Sequence, residues 1–255
     1  MLLINGLGAG LEMWTPFASR LCGDREVIAF DLPGSGRSAA GRWPIRMKGL
    51  ARLVDALIDR LDLPTVDLLG YSLGGALAQE VAHRFPRRVG RLILAATTPG
   101  VPSIPPNPLA ASLMLTPARY WNRGIAERIV PIIAGGRSAR DRKVLDRGID
   151  WRLADPPSTR GYLQQIYAMT LWSSHAWLHL LRQPTLVIHG DDDPLVPLIN
   201  ARYLARAIPD ARLHIVTDGG HLFLLDQPDD AIAAISPFLV SPAGGLDVDL
   251  TAGRS

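Results

Sequence analysis

The sequence is nearly without cysteine. Cys22 is the only one in 255 residues, which excludes an internal disulfide framework and fits a reducing compartment. No lysine- and arginine-rich run is interleaved with aromatics. The formal charge is only +3 and the basic residues, almost all arginine, are scattered, so nucleic acid is not an expected partner. No apolar stretch is long enough to span a bilayer. The longest candidate, from Leu92 to Leu115, is broken by Pro99, Pro102, Pro105, Pro106 and Pro108. A leader is not evident either. Met1-Leu2-Leu3-Ile4 has no basic flank and runs straight into Asn5-Gly6-Leu7-Gly8, which reads as a strand and turn. Internal repeats are absent. These absences leave a cytoplasmic globular protein as the expectation, and 47% hydrophobic with 20% charged residues is ordinary for one.

What is present is an alternation of short apolar runs and helical segments. Met1–Ile4, Glu26–Phe30, Val66–Leu69 and Arg91–Ala95 read as buried strands, with helices at Leu50–Leu61 and Ala76–Phe85. The same grammar returns at Pro184–Gly190, Leu198–Ile208, Ala211–Val216 and Pro228–Leu239. It predicts an α/β fold, a mostly parallel sheet with helices on both faces. Residues 1–100 and 182–240 form that core, and residues 101–181 read as an inserted helical cap. The insertion holds Tyr120, Trp121, Trp151, Tyr162, Tyr167, Trp172 and Trp177. For each of them a place in the insertion's own small core is favoured over a pocket wall. Residues 241–255 are polar and glycine-containing and read as a disordered tail.

The sharpest motif is Gly70-Tyr71-Ser72-Leu73-Gly74-Gly75, between an apolar strand and an apolar helix. A serine on a tight strand-to-helix turn presents its hydroxyl at the carboxyl end of a sheet, beside backbone N–H groups. Such a nucleophile needs a base and a carboxylate that orients the base. The first later turn, Ala95–Gly100, has no carboxylate. The next, Gly190-Asp191-Asp192-Asp193-Pro194, has three; Asp193 best fits the spacing, with Asp191 and Asp192 expected to cap the turn or face solvent. His221 follows the last strand, after two glycines that suit a loop passing close to the serine turn. His189 is its rival, expected instead to face into the sheet. His83, His175, His179 and His214 are read as structural. The N–H groups of Leu73 and Leu7 are the expected oxyanion donors. Ser35 and Ser38 lie in a structural turn, Asp31–Ser38, and are poor rivals to Ser72.

With these residues in place the chain resembles the α/β-hydrolases from residue 1 to about 240. Several stretches resemble the intracellular depolymerases of medium-chain-length poly(3-hydroxyalkanoates): Asn5–Ala9 with Leu11-Glu12, Glu26–Asp31, Gly74–Gln79, and above all Gln183–Leu186 continuing through Gly190–Asn200. The resemblance implies an ester hydrolase of aliphatic 3-hydroxyacyl polyesters with Ser72, Asp193 and His221 as its triad. It implies a hydrophobic ester or polyester substrate, contact with a polymer granule surface, and no metal or organic cofactor. Two departures stand out. Leu73 replaces the tryptophan expected in that subgroup, which would alter the acyl pocket. The sequence opens at the strand that carries the Leu7 turn, so the β-hairpin that precedes it in relatives is expected to be missing, with Glu26–Phe30 as a hydrophobic sheet edge and poor solubility as the expected consequence. A generic carboxylesterase, lactonase or carbon–carbon bond hydrolase is the alternative, and an inactive binding module on the same fold a remote one.

Overall fold

The computed structural model describes residues 1–21 and 25–240. Cys22 and the expected tail, 241–255, lie outside the described residues. Six strands make one sheet in the order β2-β1-β3-β4-β5-β6: β1 (Leu2–Ile4), β2 (Ile28–Phe30), β3 (Val66–Tyr71), β4 (Val89–Ala95), β5 (Thr185–Gly190) and β6 (Ala211–Val216). Every neighbouring pair is parallel, so all carboxyl ends lie on one side. Glu26–Phe30 takes its expected edge position in shortened form, because its partner β1 offers only three residues for pairing.

The helices are α1 (Thr15–Leu21), α2 (Met47–Arg60), α3 (Leu73–Arg84), α4 (Pro108–Met114), α5 (Arg123–Ala134), α6 (Gly136–Arg140), α7 (Arg142–Ala154), α8 (Thr159–Met169), α9 (Leu198–Ala207), α10 (Phe223–Asp226) and α11 (Pro228–Val240). Strand side chains alternate between faces, and the register carries that alternation across the sheet. Leu2, Leu68 and Leu92 are in register and join α2, α3 and α9 in one apolar cluster. Leu3, Leu69, Ile93 and Leu186, one residue on, join α1 and α11 on the other face.

Between β4 and β5 the chain is helical, with one isolated bridge, Gly100 to Ser173, among the described residues. Side-chain caps start its helices: Asn107 for α4, Asn122 for α5, Asp141 for α7 and Ser158 for α8 each accept from a backbone N–H of the first turn. Tyr120 and Tyr162 are buried and pack against each other within the segment, at 6.0 Å between ring centres, whereas the tryptophans do not join a core of its own. The small cluster internal to this segment is aliphatic, centred on Ala110, Ile129 and Ile133. Trp172 instead joins the sheet-face cluster, with Trp177 packed against it, and Trp151 packs on the opposite face. Trp121 and Tyr167 are exposed. The short helices leave too little mutual surface for seven large rings, so the sheet takes several of them.

Packing is very close where β3 turns into α3. A Cβ on Gly74 would stand 2.1 Å from the Ile4 carbonyl oxygen, and one on Gly70 would stand 2.2 Å from that of Gly74. Helix and strand ends therefore touch backbone to backbone. Gly74→Ala is expected to lower unfolding stability by about 1–3 kcal/mol or more in urea denaturation. Gly124→Ala is the control, because its new methyl meets nothing nearer than 3.5 Å.

Candidate active site

The turn from β3 to α3 holds Ser72 at φ 56° and ψ −117°, a left-handed conformation that costs a non-glycine residue energy and persists only when packing enforces it. Hydrogen bonds on both sides of the residue enforce it here. Ser72 N–H donates to the Ala95 carbonyl at 2.9 Å, its own carbonyl accepts from Gly75 N–H at 2.9 Å, and the Thr97 hydroxyl donates to that carbonyl at 2.7 Å. The Ser72 hydroxyl is thereby fixed above the carboxyl ends of the strands.

Asp193 and His221 come to it from the loops after β5 and β6. Ser72 Oγ lies 3.0 Å from His221 Nε2, and His221 Nδ1 lies 2.7 Å from Asp193 Oδ2. A carboxylate only accepts, so the chain of bonds requires the proton on Nδ1 and leaves Nε2 to accept from the hydroxyl. The other Asp193 oxygen accepts from the N–H groups of Leu195 and Val196, both at 2.9 Å. Asp193 and His221 are buried.

The remaining candidates fall elsewhere. His189 is fully buried in β5, as expected of a sheet residue. Its Nε2 donates to the Val196 carbonyl at 2.7 Å and stands 3.5 Å from Asp193. Burial lowers its pKa, so it remains neutral behind the carboxylate. Asp191 is exposed. Asp192, also exposed, accepts from Gly136 N–H at 2.9 Å and pairs with Arg140 at 2.8 Å, tying the β5 loop to α6. Asp31 accepts from Leu11 and Arg37 N–H groups, and Ser35 is buried with its hydroxyl accepting from Gln165, so that turn is structural. His83 stacks on Trp177 and His175 packs against Tyr203.

Two expectations need correction. The loop after the two glycines does bring His221 to the serine turn, but the close approach that demands Gly220 is made elsewhere. A Cβ on Gly220 would stand 2.2 Å from the Ala134 carbonyl oxygen, so the close neighbour is the joint between α5 and α6. Nor does Leu73 shape the cleft in front of Ser72. As the first residue of α3 its side chain is buried in the sheet-face cluster and is absent from the cleft walls.

The turn after β1 is held from several sides. Asn5 is buried; its side-chain amide donates to the Gly10 carbonyl at 2.8 Å and its side-chain oxygen accepts from Gly6 N–H at 2.9 Å. Gln165 accepts from Gly8 N–H at 2.9 Å, and the Tyr120 hydroxyl donates to the Leu7 carbonyl. Among the described residues the N–H groups of Leu7 and Leu73 have no protein acceptor. The Tyr71 hydroxyl donates to the His221 carbonyl at 2.9 Å, and burial drives its pKa well above the ordinary value. It therefore stays a donor.

Ser72 opens onto a cleft between the strand ends and residues 101–181. Met13, Met114, Ile133, Leu195 and Leu222 supply apolar wall, and Arg119 and Arg152 also line it. Motif reading missed Tyr71, Arg119, Tyr120, Arg152 and Gln165. No local sequence signal marks them, because each acts across more than forty residues or through a contact made only in the fold.

The comparison with known families is decisive once this geometry is in view: a model described as the alpha/beta hydrolase family matches residues 1–235. The chain belongs to that family. It is 44% identical over 239 residues to a poly(3-hydroxyalkanoate) depolymerase of Ectopseudomonas oleovorans, covering 94% of this chain and 83% of that protein. It is 32% identical over 249 residues to a pimeloyl-[acyl-carrier protein] methyl ester esterase of Aromatoleum aromaticum, covering 92% of this chain and 96% of that one. Among solved structures it is similar to a hydrolase from Pseudomonas aeruginosa PA01, with a TM-score of 0.80 and 25% identity over 94% of this chain and 89% of that chain. The protein is a hydrolase on this fold. Among the described residues no group of three or more His, Cys, Asp or Glu is placed to hold a metal ion, and no helix is long and apolar enough to cross a membrane.

Near the cleft, the hydrolase buries one carboxyl group that titrates in an accessible range. Asp226 accepts from the Ser138 hydroxyl at 2.8 Å and its N–H at 3.1 Å. Burial nevertheless raises its pKa from 3.8 to about 6. The folded state therefore holds a proton that the unfolded chain has released, and stability falls as pH rises through that window. Urea unfolding at pH 4.5 and 6.5 is expected to show this loss in the parent, and Asp226→Asn is expected to reduce it.

Proposed function

We propose that this protein is a serine ester hydrolase that cleaves aliphatic 3-hydroxyacyl polyesters, the class of polymer named for its 44% identical relative. The observation that carries this reading is the unbroken path Ser72–His221–Asp193 opening onto a cleft walled by both apolar and polar side chains. His221 takes the Ser72 proton as Oγ attacks the ester carbonyl carbon. Leu7 and Leu73 N–H groups hold the developing oxyanion, each such donor being worth about 2.7–4 kcal/mol in the transition state. The carbon–oxygen bond to the alcohol then breaks, and the leaving alkoxide takes the proton from His221. Water, deprotonated by the same imidazole, attacks the acyl-enzyme and releases the free acid and Ser72. Asp193 keeps His221 in the Nδ1–H tautomer throughout.

Residues 101–181 act as a cap in this reading, closing the cleft over the strand ends with Met114, Arg119, Tyr120, Ile133 and Ala134. The place of action is the cytoplasm, at the surface of polymer granules. The 32% identity to a methyl ester esterase supports a second reading, hydrolysis of a small soluble ester by the same residues.

The test is acid release from amorphous medium-chain-length polyhydroxyalkanoate granules, beside hydrolysis of 4-nitrophenyl octanoate. The expected result is release of 3-hydroxy acids, lowered at least about a thousandfold in Ser72→Ala. Octanoate cleavage without granule attack selects the small-ester reading.

A further inference from the structure

The wall of the Ser72 cleft contains two buried cations without ion-pair partners. Arg119 is 1% exposed and Arg152 is 5% exposed. Both line the cleft, and among the described residues neither forms a salt bridge to a carboxylate. A guanidinium removed from water without a counter-charge is costly, so its neighbours are informative.

Arg119 is surrounded by neutral groups. It donates to the Thr116 carbonyl at 2.7 Å, the Tyr162 hydroxyl at 2.8 Å and the Met114 carbonyl at 3.5 Å, and reaches the Met114 sulfur at 3.6 Å. It lies 4.8 Å from the ring centre of Tyr120 and 5.4 Å from that of Tyr162. These contacts orient the fork and soften its desolvation, but none supplies negative charge. Its Nε–H is buried with no acceptor. Arg152 donates to the Gly148 carbonyl at 3.3 Å, and its Nε–H is likewise buried without an acceptor. The carboxyl group that Arg152 influences is Asp226, whose Oδ2 accepts from Ser138. Two buried cations thus line the cleft beside the serine, Arg119 among neutral groups and Arg152 with Asp226 as its electrostatic neighbour.

We propose that Arg119 and Arg152 form a carboxylate-binding subsite in the Ser72 cleft that takes the anionic end of a hydroxyacyl chain. A guanidinium matches a planar carboxylate with paired donors, and a low-dielectric wall strengthens the attraction. The chemistry of the ligand follows from the proposed reaction, on which this assignment of the ligand rests. A hydroxyacyl polyester ends in a carboxylate, and each cleavage creates another. Two sources therefore share the chemistry, the carboxyl end of an uncleaved chain and the released 3-hydroxy acid. The first makes the enzyme prefer ester bonds near the chain's carboxyl end. The second makes the product a competitive inhibitor.

The experiment compares the linear dimer of 3-hydroxyoctanoate, carrying a free carboxylate, with the methyl ester of the same dimer. The parent is expected to favour the acid dimer in kcat/KM. The ratio of acid to methyl-ester kcat/KM is expected to fall about tenfold or more in Arg119→Met, the loss of one charge-assisted contact, and to be restored only in part in Arg119→Lys, which keeps the charge but not the paired donors. Free 3-hydroxyoctanoate should inhibit cleavage of the methyl-ester dimer, and its inhibition constant should rise by about the same factor in Arg119→Met. A preference for the acid dimer without product inhibition assigns the subsite to the chain end, and inhibition without preference assigns it to the product. Should Arg119→Met not fold, Arg152→Met and the parent's own discrimination decide. Calorimetric binding of 3-hydroxyoctanoate, with methyl 3-hydroxyoctanoate as control, to the Ser72→Ala protein needs no turnover. If that acid binds while the parent cleaves neither granules nor dimers, the subsite stands and the depolymerase reading falls. Equal kcat/KM for the two dimers, together with no inhibition and no binding by the free acid, overturns the proposal.

Discussion

The backbone contact between the first turn of α3 and the end of β1 constrains everything else in this molecule. Gly74 lies against the Ile4 and Asn5 carbonyls, closer than any side chain permits, and Gly70 lies equally close to Gly74. That approach forces the chain to reverse between Tyr71 and Leu73, and Ser72 absorbs the reversal in a left-handed conformation. The energy comes from burial on both sides of the turn. β3 and α3 are almost entirely buried, so the helix cannot slide away to relax the serine.

Parallel strands turn this local strain into a site. Because β1, β3, β5 and β6 all end on one side of the sheet, the loops carrying Leu7, Ser72, Asp193 and His221 meet there without any of them being near in sequence. Each loop is then fixed by groups outside the set. Tyr71 and the Ala134 carbonyl hold the His221 backbone. The N–H groups of Leu195 and Val196 hold Asp193. Asn5, Gln165 and Tyr120 hold the turn that contains Leu7. An imidazole and a hydroxyl held at 3.0 Å by such supports would need little reorganisation for the proton transfer proposed above.

The helical segment between β4 and β5 contributes in two directions. Trp172 and Ala168 join one sheet-face cluster, while Ala126, Val130, Leu145 and Ile149 join the other. The same segment delivers Arg119, Tyr120 and Arg152 to the cleft. Its sequence was least readable for this reason. The capping residues Asn107, Asn122, Asp141 and Ser158 do not stand out from their neighbours in the sequence, and nothing local told which aromatic would turn to the sheet, the cleft or solvent.

Local pattern alone determined the six strands in chain order, the helices α2, α3, α9 and α11 between and after them, the serine turn, and the identity of the acid and base candidates. Those features depend on periodicity, on glycine at a close approach and on residues that follow strand ends, all of which are written within a few positions of one another. The tertiary structure decided what lies around them. Gly220 answers to Ala134, Asp192 to Gly136 and Arg140, Leu73 to the buried cluster beneath the sheet, and Tyr71 to the backbone of His221. The two buried arginines belong to the same class. An arginine in a helical segment reads as a solvated surface charge, and only the packing of neighbouring elements removes it from water and turns it toward the cleft.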